Sequence, residues 1–230
     1  MRVVAVPGFS QSASAWAPLR AAAPDLDIVA LEVPTGRTFA ETARAIGEAG
    51  GPGVYVGYSM GGRLCLELAL QEPGLLDGLV LVSSSPGIAD DAERARRAAT
   101  DRDLARRIAD LGVEAFLAEW LAQPLFASLP PDHAQAAERA AAHDVASLQH
   151  QLVALGQGVQ PPRWDDLADL DVPTMLLTGA ADAKYDAIAE AMFDLIPDCL
   201  RLTLPGGHAL PLEQPEAMAA ALHTFLADLA

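Results

Sequence analysis

Positive charge, lysine above all, is what this chain has least of. Across 230 residues, 31 acidic side chains face 15 basic ones, of which Lys184 is the single lysine, for a formal charge of -16. Such a field repels a phosphate backbone or an anionic membrane surface at long range, which argues against nucleic acid or membrane-surface partners. An anionic ligand would need a local exception. Cysteine is also scarce: Cys65 and Cys199 have neither metal-ligand nor disulfide-framework spacing and read as reduced, buried thiols. With no zinc-ligand pattern and no G-x-G-x-x-G run, neither a metal nor a cofactor is expected. The apolar core of Met1–Gly8 is too short for a signal peptide and no run is long enough to cross a membrane, so the expectation is a cytoplasmic protein without membrane insertion.

What is present is a 51% hydrophobic composition with glycine and proline spread throughout, which fits a single soluble globular domain with an inserted subdomain. Apolar runs at Val3–Val6, Ile28–Val33, Val54–Val56, Leu79–Val82 and Val172–Thr178 read as strands, as does the stretch Leu200–Leu204. Helical patterns lie between and after them, over Trp16–Ala22, Phe39–Ala49, Arg63–Glu72, Ala187–Leu195 and Pro215–Ala227. This alternation implies an α/β architecture, a mostly parallel sheet of about six strands with helices on both faces. Ligands of such sheets bind beyond the carboxyl ends of the strands. From Ile88 to Trp164 the rhythm breaks and three helical stretches follow, Asp90–Leu111, Val113–Ala122 and Asp132–Leu155. The predicted organisation is therefore a core of residues 1–87 and 165–230 with a helical cap, 88–164, inserted after the strand at Leu79–Val82.

Chemistry concentrates at Gly57-Tyr58-Ser59-Met60-Gly61, a G-x-S-x-G between an apolar run and a helical pattern. In that context a strand turns sharply into a helix, exposing the serine hydroxyl and aiming the helix N-terminus at the reacting atom. A serine needs a neutral imidazole to take its proton and a carboxylate to orient that imidazole. Asp182 and His208 each fall just past a predicted strand, and the order Ser, Asp, His is that of the α/β-hydrolase fold. His133, His143, His150 and His223 fall in predicted helices, where solvated or packed roles are expected. Asp186 and Asp198 are rival acids better suited to capping or turn roles. Backbone N–H groups of Met60 and of Phe9, in the loop after the first strand, are the candidate oxyanion donors.

Four segments carry a family resemblance: Gly57-Tyr58-Ser59-Met60-Gly61-Gly62-Arg63; Trp120 with Gln123-Pro124-Leu125-Phe126-Ala127-Ser128-Leu129; Asp182-Ala183-Lys184-Tyr185; and Gly207-His208 with Leu212-Glu213-Gln214-Pro215-Glu216. Together they resemble the MenH family of α/β-hydrolase-fold enzymes. The resemblance implies a 2-succinyl-6-hydroxy-2,4-cyclohexadiene-1-carboxylate synthase of menaquinone biosynthesis. Such a lyase eliminates pyruvate from 2-succinyl-5-enolpyruvyl-6-hydroxy-3-cyclohexene-1-carboxylate, its Ser-His-Asp triad abstracting a proton. It also implies a small polycarboxylate partner held by arginines, with Arg63, Arg97 and Arg139 as candidate ligands, Trp120 as a pocket wall and Tyr58 as a donor beside Ser59. For the cap arginines a solvated, salt-bridged face is the competing account, and for Trp120 and Tyr58 it is core packing. Two departures stand out: Pro7-Gly8-Phe9 replaces the family's His-Gly-Phe, and a leading hairpin common in the superfamily is absent. The alternative function is a carboxylesterase acting through an acyl-serine intermediate.

Overall fold

The computed structural model describes residues 1–229. Strand β1 (Arg2–Val6) leads through a short 3-10 turn to α1 (Ala17–Ala22), β2 (Asp27–Ala30), α2 (Phe39–Gly50), β3 (Gly53–Tyr58), α3 (Met60–Gln71) and β4 (Leu76–Val82). Helices α4 (Asp91–Leu111), α5 (Val113–Leu121), α6 (Ala136–Ala142) and α7 (Val145–Leu155) then intervene before β5 (Thr174–Gly179), α8 (Ala183–Phe193), β6 (Cys199–Leu204), α9 (Leu210–Glu213) and α10 (Pro215–Asp228).

The six strands form one sheet in the order β2-β1-β3-β4-β5-β6, and every pairing is parallel. Period-two alternation sorts their side chains onto two cores. Val3, Ala5, Val54, Val56, Val80 and Val82 pack with Trp16, Leu19, Leu210 and Leu222 on one face. Val4, Val6, Tyr55, Leu79 and Leu81 pack with Ile46, Leu64, Leu68 and Met192 on the other. Strand order reverses between β1 and β3, so a crevice opens beyond their carboxyl ends. The helical insertion has its own small core, Ala105, Ile108, Phe116, Leu117, Leu148 and Leu152, against which Phe9 of the β1 loop packs.

Several expected boundaries move, each for a local reason. The long stretch predicted over Asp132–Leu155 is two helices. Gln135, at φ 54° and ψ 39°, starts α6 late. Asp144 opens α7 with a reciprocal cap, accepting from Ser147 N at 2.7 Å while Ser147 Oγ accepts from Asp144 N at 3.1 Å. His133 and His143 therefore lie outside helices, the first in a turn closed on Pro130 and the second at the end of α6. Helix α8 starts at Ala183 rather than Ala187, and β5 at Thr174, because Pro173 has no N–H to pair. Cys65 is buried but Cys199 is half-exposed; burial raises both thiols, Cys199 to about 12. Among the described residues no helix is long and apolar enough to cross a membrane.

Candidate active site

Strand β3 is buried along its whole length and leads directly into Ser59, which takes φ 52° and ψ -109°. Residues bearing a Cβ rarely enter that region, and the turn is possible only because its neighbours are glycine. A Cβ on Gly61 would lie 2.2 Å from the Val6 carbonyl oxygen, and one on Gly57 would lie 2.5 Å from that of Gly61. Hydrogen bonds hold the strained residue on both sides. Its N–H donates to Val82 O at 2.8 Å, and its carbonyl accepts from Arg63 N and from Ser84 Oγ, both at 3.1 Å.

The loops after β5 and β6 bring two side chains to this serine. His208 Nε2 lies 3.1 Å from Ser59 Oγ, and His208 Nδ1 lies 2.7 Å from Asp182 Oδ2. A carboxylate on Nδ1 assigns the proton there and leaves Nε2 to accept from the serine hydroxyl. Both partners are buried, at 2% exposure for His208 and 6% for Asp182. The imidazole is walled in by Tyr185, Tyr58 and Phe126, at 4.6, 5.4 and 6.1 Å between ring centres. Glu213 braces the histidine loop: its two carboxylate oxygens accept from Gly207 N at 2.8 Å and Ala209 N at 2.9 Å, the amides on either side of His208. Sequence reasoning missed this role, although the spacing from His208 to Glu213 is visible in the chain.

The rival acids and the other histidines have different surroundings. Asp186 does not cap its helix. Its Oδ1 accepts from Thr178 at 2.6 Å, Thr203 at 2.8 Å and Arg201 at 3.0 Å, tying β5 to β6, and the Thr178 bond leads the causes that lower its carboxyl. The carbonyl of Asp198 serves β5 by accepting from Thr174 N. His223 pairs with Asp25, His143 with the Gln11 carbonyl, and His133 lies beside Asp132. Burial lowers the His150 imidazole.

Ser59 opens into a cavity of about 250 Å³ whose lining includes Phe9, Met60, Arg63, Arg97, Trp120, Lys184 and Tyr185. Arg63 is 6% exposed and meets only neutral acceptors, its Nη1 donating to Leu155 O at 2.8 Å and Gln160 Oε1 at 3.3 Å. Burial lowers its guanidinium to about 10, which leaves it cationic at neutral pH. Arg97 is held by buried Asp101 through Nε at 2.7 Å and by Gln157 through Nη1 at 2.8 Å. Gln157 in turn donates to Tyr185 Oη at 2.8 Å. Its neighbours on α4 follow the solvated account: Arg94 pairs with Asp91, Arg106 with Asp103 and Arg107 with Glu119. Trp120 combines both roles proposed for it, lining the cavity while packing edge-on against Phe9 at 4.8 Å.

Two candidates lie elsewhere. Tyr58 is buried beneath His208, with its ring 2.8 Å from where a Cβ on Gly8 would stand, and is not part of the cavity wall. Desolvation raises its phenol. Arg139 does not line the cavity either. The late start of α6 turns its guanidinium to the back of the Phe9 loop, where it donates to Ser10 Oγ at 2.9 Å, Phe9 O at 3.4 Å and Ala134 O at 2.8 Å. Among the described residues no cluster of His, Cys, Asp and Glu could hold a metal ion.

A parallel sheet delivering a strained serine, a histidine and an aspartate to its carboxyl edge, with helices inserted after β4, is the architecture of an α/β hydrolase. Residues 3–221 match the model of the alpha/beta hydrolase family. A 2-succinyl-6-hydroxy-2,4-cyclohexadiene-1-carboxylate synthase of Serratia proteamaculans is 35% identical over 175 residues, 75% of this chain and 67% of that protein. A Bacillus subtilis relative is 34% identical over 179 residues, and the match spans 76% of this chain but 65% of the relative. MenH from S. aureus superposes with a TM-score of 0.91 at 24% identity, over 99% of this chain and 94% of that one, a likeness of fold. The chain belongs to the alpha/beta hydrolase family and, within it, to the MenH family.

Proposed function

We propose that this protein is a 2-succinyl-6-hydroxy-2,4-cyclohexadiene-1-carboxylate synthase. The observation that carries the reading is the pairing of Ser59, backed by His208 and Asp182, with two guanidinium groups, Arg63 and Arg97, in one cavity of an acidic protein. His208 Nε2 takes the Ser59 proton and the serine oxygen removes a proton from bound 2-succinyl-5-enolpyruvyl-6-hydroxy-3-cyclohexene-1-carboxylate. The negative charge that develops meets the N–H groups of Phe9 and Met60, the C–O bond to the enolpyruvyl group breaks, and the departing enolate takes the proton held on His208 Nε2 to become pyruvate, which returns Ser59 and His208 to their starting states. Among the described residues neither amide donates to a protein acceptor, which leaves both free for this, whereas Gly8 N and Ser10 N on either side of Phe9 are used.

The carboxylates of the substrate are held by Arg63 and Arg97, and the helices of residues 88–164 act as a cap over the core formed by 1–87 and 165–230. Guanidinium is suited to this task because its planar fork matches a carboxylate in charge and geometry. A simple esterase has no use for a buried guanidinium without a counter-charge in its acyl pocket, as Arg63 is here, and this favours the lyase over a carboxylesterase. Incubation of the protein with that substrate tests the proposal. Stoichiometric pyruvate release is expected; no pyruvate, together with turnover of short acyl esters, would replace the lyase with the hydrolase.

A further inference from the structure

The loop after β1 supplies the Phe9 amide, yet the sheet does little to fix it. Ser10, the next residue, sits at φ 61°, a left-handed conformation that a serine holds only under constraint. The constraint comes from the helical insertion and acts on a single peptide unit. At one end of the Phe9–Ser10 peptide, the Phe9 carbonyl accepts from Arg139 Nη1 of α6 at 3.4 Å; at the other, the Ser10 N–H donates to Gln151 Oε1 of α7 at 2.9 Å. Arg139 adds a 2.9 Å bond to the Ser10 hydroxyl and anchors itself through Nε on Ala134 O at 2.8 Å. The preceding peptide, which carries the Phe9 N–H, is held within the loop by the Gln11 N–H, which donates to Gly8 O at 3.2 Å, and Gln11 Oε1 holds the peptide before that by accepting from Gly8 N at 3.0 Å.

Arg139 and Gln151 are each 2% exposed, so these bonds form without competing water. Among the described residues Arg139 meets no carboxylate, and its acceptors are carbonyl or hydroxyl oxygens. A desolvated cation held this way is costly to bury, and its hydrogen bonds to the loop are stronger than those of a neutral donor.

We propose that Arg139 and Gln151 are positioning residues that lock the Phe9–Ser10 peptide from both ends and so hold the Phe9 N–H at the cavity it shares with Ser59. Resting on the reading of Phe9 as an oxyanion donor, this makes the inserted helices part of the hole's construction as well as its roof. Arg139 then acts through the loop and does not bind the substrate's carboxylates.

The test is steady-state pyruvate release by Arg139→Met, Arg139→Lys and Gln151→Met, with melting temperature and the Phe9 amide resonance of each variant. Misplacing an oxyanion donor should lower kcat by about tenfold or more with KM within about threefold. Arg139→Lys should recover part of the loss, and the Arg139→Met/Gln151→Met double variant should lose less than the product of the two, because both act on one peptide. The Phe9 amide should shift in each variant. A rise in KM at unchanged kcat would make Arg139 a substrate ligand, and unchanged kcat with an unmoved Phe9 amide would reduce both residues to packing; either overturns the proposal. Should Arg139→Met fail to fold, Arg139→Lys and Gln151→Met carry the same comparison. If the wild type releases no pyruvate, the lyase reading fails by itself, and the split is read on p-nitrophenyl ester hydrolysis, which uses the same hole. If neither substrate turns over, the Phe9 amide alone decides.

Discussion

Arg63 is the residue whose environment says most about what the cavity holds. A guanidinium 6% exposed, bonded only to Leu155 O and Gln160 Oε1, is a cation lacking its counter-charge. Desolvation already lowers it to about 10, so an anionic ligand would relieve a cost that the free protein bears. Replacement by methionine keeps most of the bulk and removes the charge. A hydrogen bond to a charged group is worth about 1.5–3 kcal/mol, so Arg63→Met is expected to raise KM for the polycarboxylate by about 10- to 100-fold while kcat falls less. An unchanged KM would show that the carboxylates bind elsewhere. At this scale Ser59, Asp182 and His208 were legible because each lies within four residues of the carboxyl end of a strand, so strand geometry sets its place. Arg139 and Tyr58 were not, since their direction depends on a left-handed Gln135 and on the ring's fit against Gly8, neither of which periodicity encodes.

Between elements, one ion pair ties α3 to the segment that returns the chain from the inserted helices to β5. Arg163 grips Glu67 with two bonds, Nε to Oε2 at 2.8 Å and Nη2 to Oε1 at 2.7 Å, and the Glu67 side chain is 2% exposed. Removing the arginine leaves a buried carboxylate without its counter-charge, held only by the neutral donor Gln71 Nε2 at 2.7 Å. Arg163→Met should therefore cost about 3–5 kcal/mol in urea denaturation, whereas Glu67→Leu/Arg163→Met should recover much of it. A single-variant loss below about 0.5 kcal/mol would mean that water reaches Glu67. Four of the strands, β1, β3, β4 and β5, were readable because a parallel sheet needs continuous apolar runs; at the edges β2 stops at Ala30 and β6 alternates, Leu-Arg-Leu-Thr-Leu, with only part of it covered. Helix boundaries inside the insertion were not readable, because an alanine-rich stretch carries one helical signal across a break that a single capping pair at Asp144 and Ser147 creates.

Over the molecule as a whole, the charge of -16 sets a background against which the cationic cavity stands out, and histidine contacts join distant parts of the chain. One is His223 of α10 with Asp25, 2.9 Å apart. Their hydrogen bond is the leading cause that raises the imidazole from its ordinary 6.5 and lowers the carboxyl from its ordinary 3.8. The raised histidine stabilises the fold fully below its ordinary value and loses that contribution as pH rises through its folded one. The lowered aspartate does so above its ordinary value and loses its contribution as pH falls through its folded one. Both contributions are therefore present together between about pH 4 and 6.5. Asp25→Asn should lower the melting temperature more at pH 5.5 than at pH 8.5, and an equal effect at both would remove the pair from the account.

The central claim is that three side chains converging from the ends of β3, β5 and β6 carry out a lyase reaction. Pyruvate release by Ser59→Ala, compared with wild type at matched melting temperature, tests it most directly. A loss of about 10⁴-fold or more in kcat is predicted. Turnover within about tenfold of wild type would show that the Ser59 hydroxyl is not the group that moves the proton.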